Sequence, residues 1–216
     1  MPPKQDAAVR PVVGPSLPRR GNAFSRGLGH AVLRLMGWRL RGQLPDLPKM
    51  VLIGAPHTSN MDGVIALATL TALGLRAGTM IKDSAFKGPM GVVLRWFGAI
   101  PINRASPRGV VGQTVDAFND HEQFILLIAP EGTRSRATDW KRGFYHVAQT
   151  AGVPVVAAAA DYRNKIIRFA DPLMPSGDYA ADLAQLLAFY RDHGVPRHPE
   201  RASRPVAEAL GIPWKD

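Results

Sequence analysis

"FILLIAPEGTRSR", residues 124–136, sets a run of aliphatic residues against a polar tip that holds one carboxylate and two arginines. The stretch 124–130 reads as a buried strand, because short unbroken apolar runs bounded by Pro and Gly suit a sheet interior. Gly132 lets the backbone after it turn sharply or approach a ligand closely. The tip, with Glu131, Thr133, Arg134 and Arg136, suits a solvated turn, a phosphate clamp or part of a catalytic site. The rest of the chain decides among these.

Similar runs recur along the sequence. "MVLIGA" (50–55), "GTMIK" (78–82), "AIPIN" (99–103) and "VPVVAAAA" (153–160) read as further strands. Between them, residues 60–74, 87–97, 109–121, 141–151 and 178–192 carry apolar residues at helical spacing. Strands alternating with helices predict an α/β fold, a single-domain mixed β-sheet flanked by helices. Ligands of such sheets bind at strand ends, which is where residues 131–136 stand.

Hydrophobic residues make up 46% of the 216, enough for one large core. There is no cysteine, so disulfides, thiolate metal sites and a cysteine nucleophile are excluded together. No run of 18 apolar residues exists to cross a bilayer. The net charge is +10, and residues 1–49 alone carry +7 of it. Such asymmetry points to an anionic surface, a membrane or a nucleic acid. Aromatics are only 7%, and the charge lies beside an apolar helical stripe, which favours membrane over nucleic acid.

That stripe comprises Phe24, Leu28, Ala31, Val32, Leu35 and Met36, with Asn22 placed to cap the helix. Residues 22–41 are therefore expected to form an amphipathic helix, either packed on the domain or lying in a membrane surface with Trp38 at headgroup level. Residues 1–21, with five prolines, read as a flexible basic arm. Residues 42–195 form the α/β domain, and the Pro-rich 196–216 reads as a tail on its surface.

The end of the first of these strands reads "APHTSNMDG". In one continuous helix His57 and Asp62 would lie about 140° apart and could not meet. With Ser59 as N-cap, Asp62 occupies the third helical position and can turn back toward an imidazole in the incoming loop. A carboxylate on one ring nitrogen fixes the tautomer and leaves the other to accept a proton. Ser59-x-x-Asp62 is also a plain capping box that needs no histidine. The chain has no G-x-S-x-G elbow, Walker loop, G-x-G-x-x-G or H-E-x-x-H.

Taken in order, "HTSNMD", "IKDSAFKGPMGVVLRWFGAIPINR", "APEGTRSR" and "FYHVAQTAGVPVV" resemble the glycerol-phosphate and lysophospholipid acyltransferase family over about residues 50–160. The resemblance implies that His57 is the general base and Asp62 its orienter. It implies that Glu131, Gly132, Thr133 and Arg134 bind the phosphoglycerol part of the acceptor, and that Arg104 contacts phosphate. The family's lysine before the second block falls on Lys82; Lys82 and the Gly132 amide are nominated here as oxyanion donors. The implied reaction is O-acyl transfer from acyl-CoA or acyl carrier protein to a lysophospholipid hydroxyl, 1-acylglycerol-3-phosphate first among acceptors, in phospholipid biosynthesis. No bound cofactor or metal is implied, and the expected location is peripheral, on the cytoplasmic face of the membrane. The chain departs from the pattern at Asp83, where glutamate is usual. It also lacks the second proline of the fourth block, has Ala157 and its neighbours there instead, and lacks a long hydrophobic N-terminal hairpin.

Overall fold

The computed structural model describes residues 13–103, 105–106 and 108–214. Arg104, assigned to phosphate from the sequence, lies outside the described residues, as do residues 1–12 of the basic arm.

β2 (Lys49–Ala55) is the strand around which the rest is laid. It pairs in parallel with β5 (Phe124–Ile128) on one side and β6 (Val155–Asp161) on the other. β7 (Ile166–Phe169) joins β6 antiparallel, and β1 (Arg39–Arg41) closes the edge in parallel with β7, giving the order β1-β7-β6-β2-β5. The sheet is mixed, as the sequence predicts. β1 and β7 are additions to that reading, since three or four residues are too few to carry a periodicity of their own. A second parallel pair, β3 (Met80–Lys82) and β4 (Ile100–Ile102), hangs off β5 through hydrogen bonds between Gly78 and residues 125 and 127.

Both faces of β2 are covered, which explains its unbroken apolar run. Val51, Ile53 and Ala55 point into a core shared with Phe144, Val147, Tyr190 and Val206, from α5 (Gly143–Ala151), α6 (Tyr179–His193) and α7 (Arg204–Leu210). Met50 and Leu52 face Leu70 and Leu73 of α2 (Asn60–Leu73) on the other side. Each such side chain stabilises the fold by roughly 1.5–3 kcal/mol. α3 (Gly88–Trp96) follows β3, and α4 (Gly109–Asp120) packs on α5.

Three boundaries differ from the sequence reading. The N-terminal helix, α1, spans only Ala23–Leu35, capped by Asn22 as foreseen, and 39–41 belong to the sheet. Trp38 is buried edge-on against Tyr162 rather than standing at a membrane surface. The arm is not loose where described: Leu17 is fully buried, and the Arg20 amide donates to Gly74 O. The tail is not a surface wrap either, because Ala202, Val206 and Ala207 belong to the main core. In each case tertiary contacts override a composition that by itself suggests solvent.

The apolar stripe of α1 splits in two. Gly29 and Leu33 form the packing face, and a Cβ at Gly29 would lie 2.4 Å from the Ala72 amide nitrogen, so only glycine allows this approach to α2. Phe24 (80% exposed), Leu28 and Leu35 (88%) are left in solvent, and Val64 and Leu67 of α2 are exposed as well.

Candidate active site

The chain leaves β2 through a cis Ala55–Pro56 bond, and His57 occupies the loop before α2, whose N-cap is Ser59. Asp62, at the third helical position, turns back as expected. Its Oδ2 accepts from the Thr58 and Ser59 amides at 2.7 and 2.8 Å and lies 3.2 Å from His57 Nδ1. The capping box and the His–Asp pair are thus one arrangement, in which the cap holds the carboxylate that orients the imidazole. With Nδ1 facing Asp62, Nε2 is the nitrogen left to take a proton. Burial alone would raise the Asp62 pKa, but hydrogen bonds from His57, Tyr162 and Ser59 outweigh it and pull the carboxyl below its usual range. Asp62 is therefore ionised, as an orienter must be.

Tyr162, one residue past the end of β6, donates its hydroxyl to Asp62 Oδ1. Burial and the neighbouring carboxylate raise the phenol pKa, so it remains a donor. The sequence reading missed it. The available signal was position alone, since it follows a strand end as His57 and Glu131 do.

Residues 131–136 divide sharply. Glu131 is 2% exposed and points inward, its Oε2 accepting the His57 amide at 2.6 Å and its Oε1 the Ser203 hydroxyl at 2.8 Å. Burial pushes its carboxyl up to about 7, against the pull of those two hydrogen bonds. Both oxygens are engaged, so its side chain pins the His57 backbone; the phosphoglycerol contact implied by the resemblance does not fit this geometry. The Gly132 amide, nominated as an oxyanion donor, is instead spent in a turn to Ala129 O at 3.1 Å. Gly132 adopts φ +65°, and a Cβ there would meet the Lys141 stem at 2.7 Å, which accounts for the glycine. Thr133 Oγ1 accepts from the Ser135 amide at 3.2 Å. Arg134 is exposed and reaches the first residue of α2, donating to Asn60 Oδ1. Arg136 lies over the Trp214 ring at 4.2 Å. Lys82 stands exposed at the end of β3, and no contact joins it to His57 among the described residues.

Beside His57 and Asp62 opens a cavity of about 370 Å³ between the sheet and α2. Its walls are Leu52, Ile65, Leu70, Leu127, Ile167 and Phe169, with small residues at Gly54, Ala66, Ala158 and Ala160. The alanine run of β6 thereby acquires a physical meaning: alternation turns Ala158 and Ala160 toward α2, and their missing bulk leaves space. An apolar cavity with a base and a carboxylate on its wall suits an apolar chain whose reactive end meets the imidazole.

No curated protein matches the chain. Its fold is similar to that of the crystal structure of the 1-acyl-sn-glycerophosphate (LPA) acyltransferase PlsC from Thermotoga maritima. The two are 16% identical with a TM-score of 0.56, covering 89% of this chain and 80% of that one. The profile of the acyltransferase family matches residues 39–161, from β1 to the end of β6, and includes His57, Asp62 and residues 131–136. With a match over more than half of its length, the chain belongs to the acyltransferase family.

Proposed function

We propose that the enzyme transfers a fatty acyl group from an acyl thioester, carried by coenzyme A or acyl carrier protein, to the hydroxyl of a lysophospholipid, with 1-acylglycerol-3-phosphate as the first candidate acceptor. The observation that carries this reading is the apolar cavity with the His57–Asp62 pair on its wall. His57 Nε2 removes the hydroxyl proton as that oxygen attacks the thioester carbonyl. The tetrahedral intermediate collapses with cleavage of the C–S bond, and His57 returns the proton to the departing thiolate. The imidazole ends as it began, and no acyl-enzyme forms. Base assistance of this kind contributes about 10²–10⁴-fold. Incubating the purified protein with acyl-CoA and a panel of lysolipids, amino-lipids included, and identifying products by mass spectrometry tests the assignment. Absence of any acylated product with acyl-CoA or acyl carrier protein as donor overturns it.

Arg134 is the candidate acceptor-phosphate ligand among the described residues, since it is exposed at the N-terminus of α2, the helix that bears Asp62. A guanidinium offers paired donors to phosphate, and a helix N-terminus favours an anion. Arg134→Ala should raise the acceptor KM by about ten-fold or more, the value of a charge-assisted hydrogen bond, with a smaller change in donor KM. The opposite split would reverse the substrate assignment.

Among the described residues no helix is long and apolar enough to cross a membrane. The exposed stripe of Phe24, Leu28 and Leu35, with Arg26 and Arg34 also exposed on α1, supports attachment to an anionic bilayer surface. Basic residues there contribute about 1 kcal/mol each, fading with salt. Removing residues 1–41 would take away β1 and buried Trp38, so surface substitutions are the sounder probe. Phe24→Ser, Leu28→Ser and Leu35→Ser together should release the enzyme from phosphatidylglycerol vesicles in a flotation assay, with turnover of a soluble short-chain substrate kept. Unchanged flotation would leave α1 a packing element only.

A further inference from the structure

The mechanism above uses His57 and Asp62 but leaves a buried carboxylate, Glu131, without a chemical role. Its surroundings supply one. The His57 amide donates to Oε2 at 2.6 Å, and the hydroxyl of Ser203 donates to Oε1 at 2.8 Å. Ser203 in turn accepts from Trp140 Nε1 at 3.1 Å. Ser203 is fully buried, at the N-cap of α7, so this short chain of hydrogen bonds is shielded from water. A second contact comes from the same segment: the His198 amide donates to Thr58 Oγ1 at 3.2 Å, and Thr58 is fully buried beside His57. Residues 198–203 therefore grip the catalytic loop at two points, and both lie beyond the span 39–161 that matches the family.

We propose that Ser203 is a positioning residue for His57, acting through Glu131, so that the C-terminal segment completes the active site. This rests on the acyl-transfer reading of His57. With Ser203 in place, Oε1 has its partner and the carboxylate is turned so that Oε2 receives the His57 amide. Without that hydroxyl, the carboxylate loses the stronger of its two Ser203 donors and keeps only the weaker influence of the Ser203 amide, so it takes up a proton more readily. A neutral carboxyl loses the charge-assisted part of its bond to the His57 amide, and the imidazole loses its fixed distance from Asp62 and from substrate. Displacements of about 1 Å in such a site can cost about 10²-fold.

Protonation supplies a readout that packing alone would not move. The ionisable groups around Glu131 are His57, with Asp62 behind it; Tyr190 of α6, whose phenol is raised by burial first and then by the Glu131 charge; and Lys141, whose stem lies against Gly132. Burial already raises the Glu131 pKa, and the Ser203 hydroxyl is the largest of the influences that lower it. Removing that hydroxyl moves Glu131 titration upward. Activity that needs ionised Glu131 is then lost at a higher pH on the acid side.

Ser203→Ala should lower kcat by about ten-fold with both KM values held, and shift the acid limb of the kcat–pH profile to higher pH. Normalising each profile to its own maximum makes its position independent of how much protein is folded. Ser203→Thr, which keeps the hydroxyl, should restore the limb. In a Glu131→Gln background, Ser203→Ala should have no further effect on the profile, because the group through which it acts no longer titrates. A Ser203→Ala profile that superimposes on wild type overturns the proposal, and so does an undiminished shift in the Glu131→Gln background. Wild-type protein inactive toward every thioester and lysolipid pair would instead overturn the acyl-transfer reading.

Discussion

His57→Ala should lower acyl transfer by at least ~10²-fold, the lower bound for losing a positioned general base. The fold should survive the change. His57 is a quarter exposed, and its backbone amide, which anchors the loop on Glu131, is untouched by the substitution. Asp62 keeps its bonds from the Thr58 and Ser59 amides and from the Tyr162 hydroxyl, so α2 keeps its cap. Circular dichroism and turnover measured on one sample decide the matter. A folded mutant with near wild-type rate removes His57 from the mechanism.

The second large effect concerns the cavity. Ala66→Phe sets an aromatic ring into a space of about 370 Å³ that Gly54, Ala158 and Ala160 leave open from the sheet side. Insertion of bulk into a filled core costs about 1–3 kcal/mol in strain, but here the ring enters a void. Transfer from long-chain acyl thioesters should fall on the order of 10²-fold, since each methylene excluded from an apolar pocket is worth about ten-fold or more. Short-chain thioesters should lose far less, and acceptor KM should hold. Equal losses for all chain lengths would show that the cavity does not receive the acyl chain.

Much of this site is legible in the sequence because its parts are local. Ser59-x-x-Asp62 specifies a helix start, and a helix start specifies that Asp62 turns back over the loop that carries His57. The cap itself needs no distant residue, although Glu131 and Tyr162 fix the final positions of His57 and Asp62. The strand after which Glu131 comes is equally plain, because apolar residues unbroken by charge belong between two covered faces. The role of Glu131 is another matter. A carboxylate next to Arg134 on a strand-end turn reads as a surface group, yet its burial depends on Ser203, 72 residues further along.

The order of strands and helices, the capped His–Asp arrangement and the charge polarity follow from residues that are neighbours in the chain, where spacing alone sets geometry. The short strands β1 and β7, the burial of Trp38 on Tyr162, and the capture of Glu131 by Ser203 follow only from the folded arrangement. Their stretches are short and mix polar with apolar residues, so local spacing does not fix where they go. What commits them is a partner more than 70 residues away whose hydrogen bond or ring replaces the water they give up.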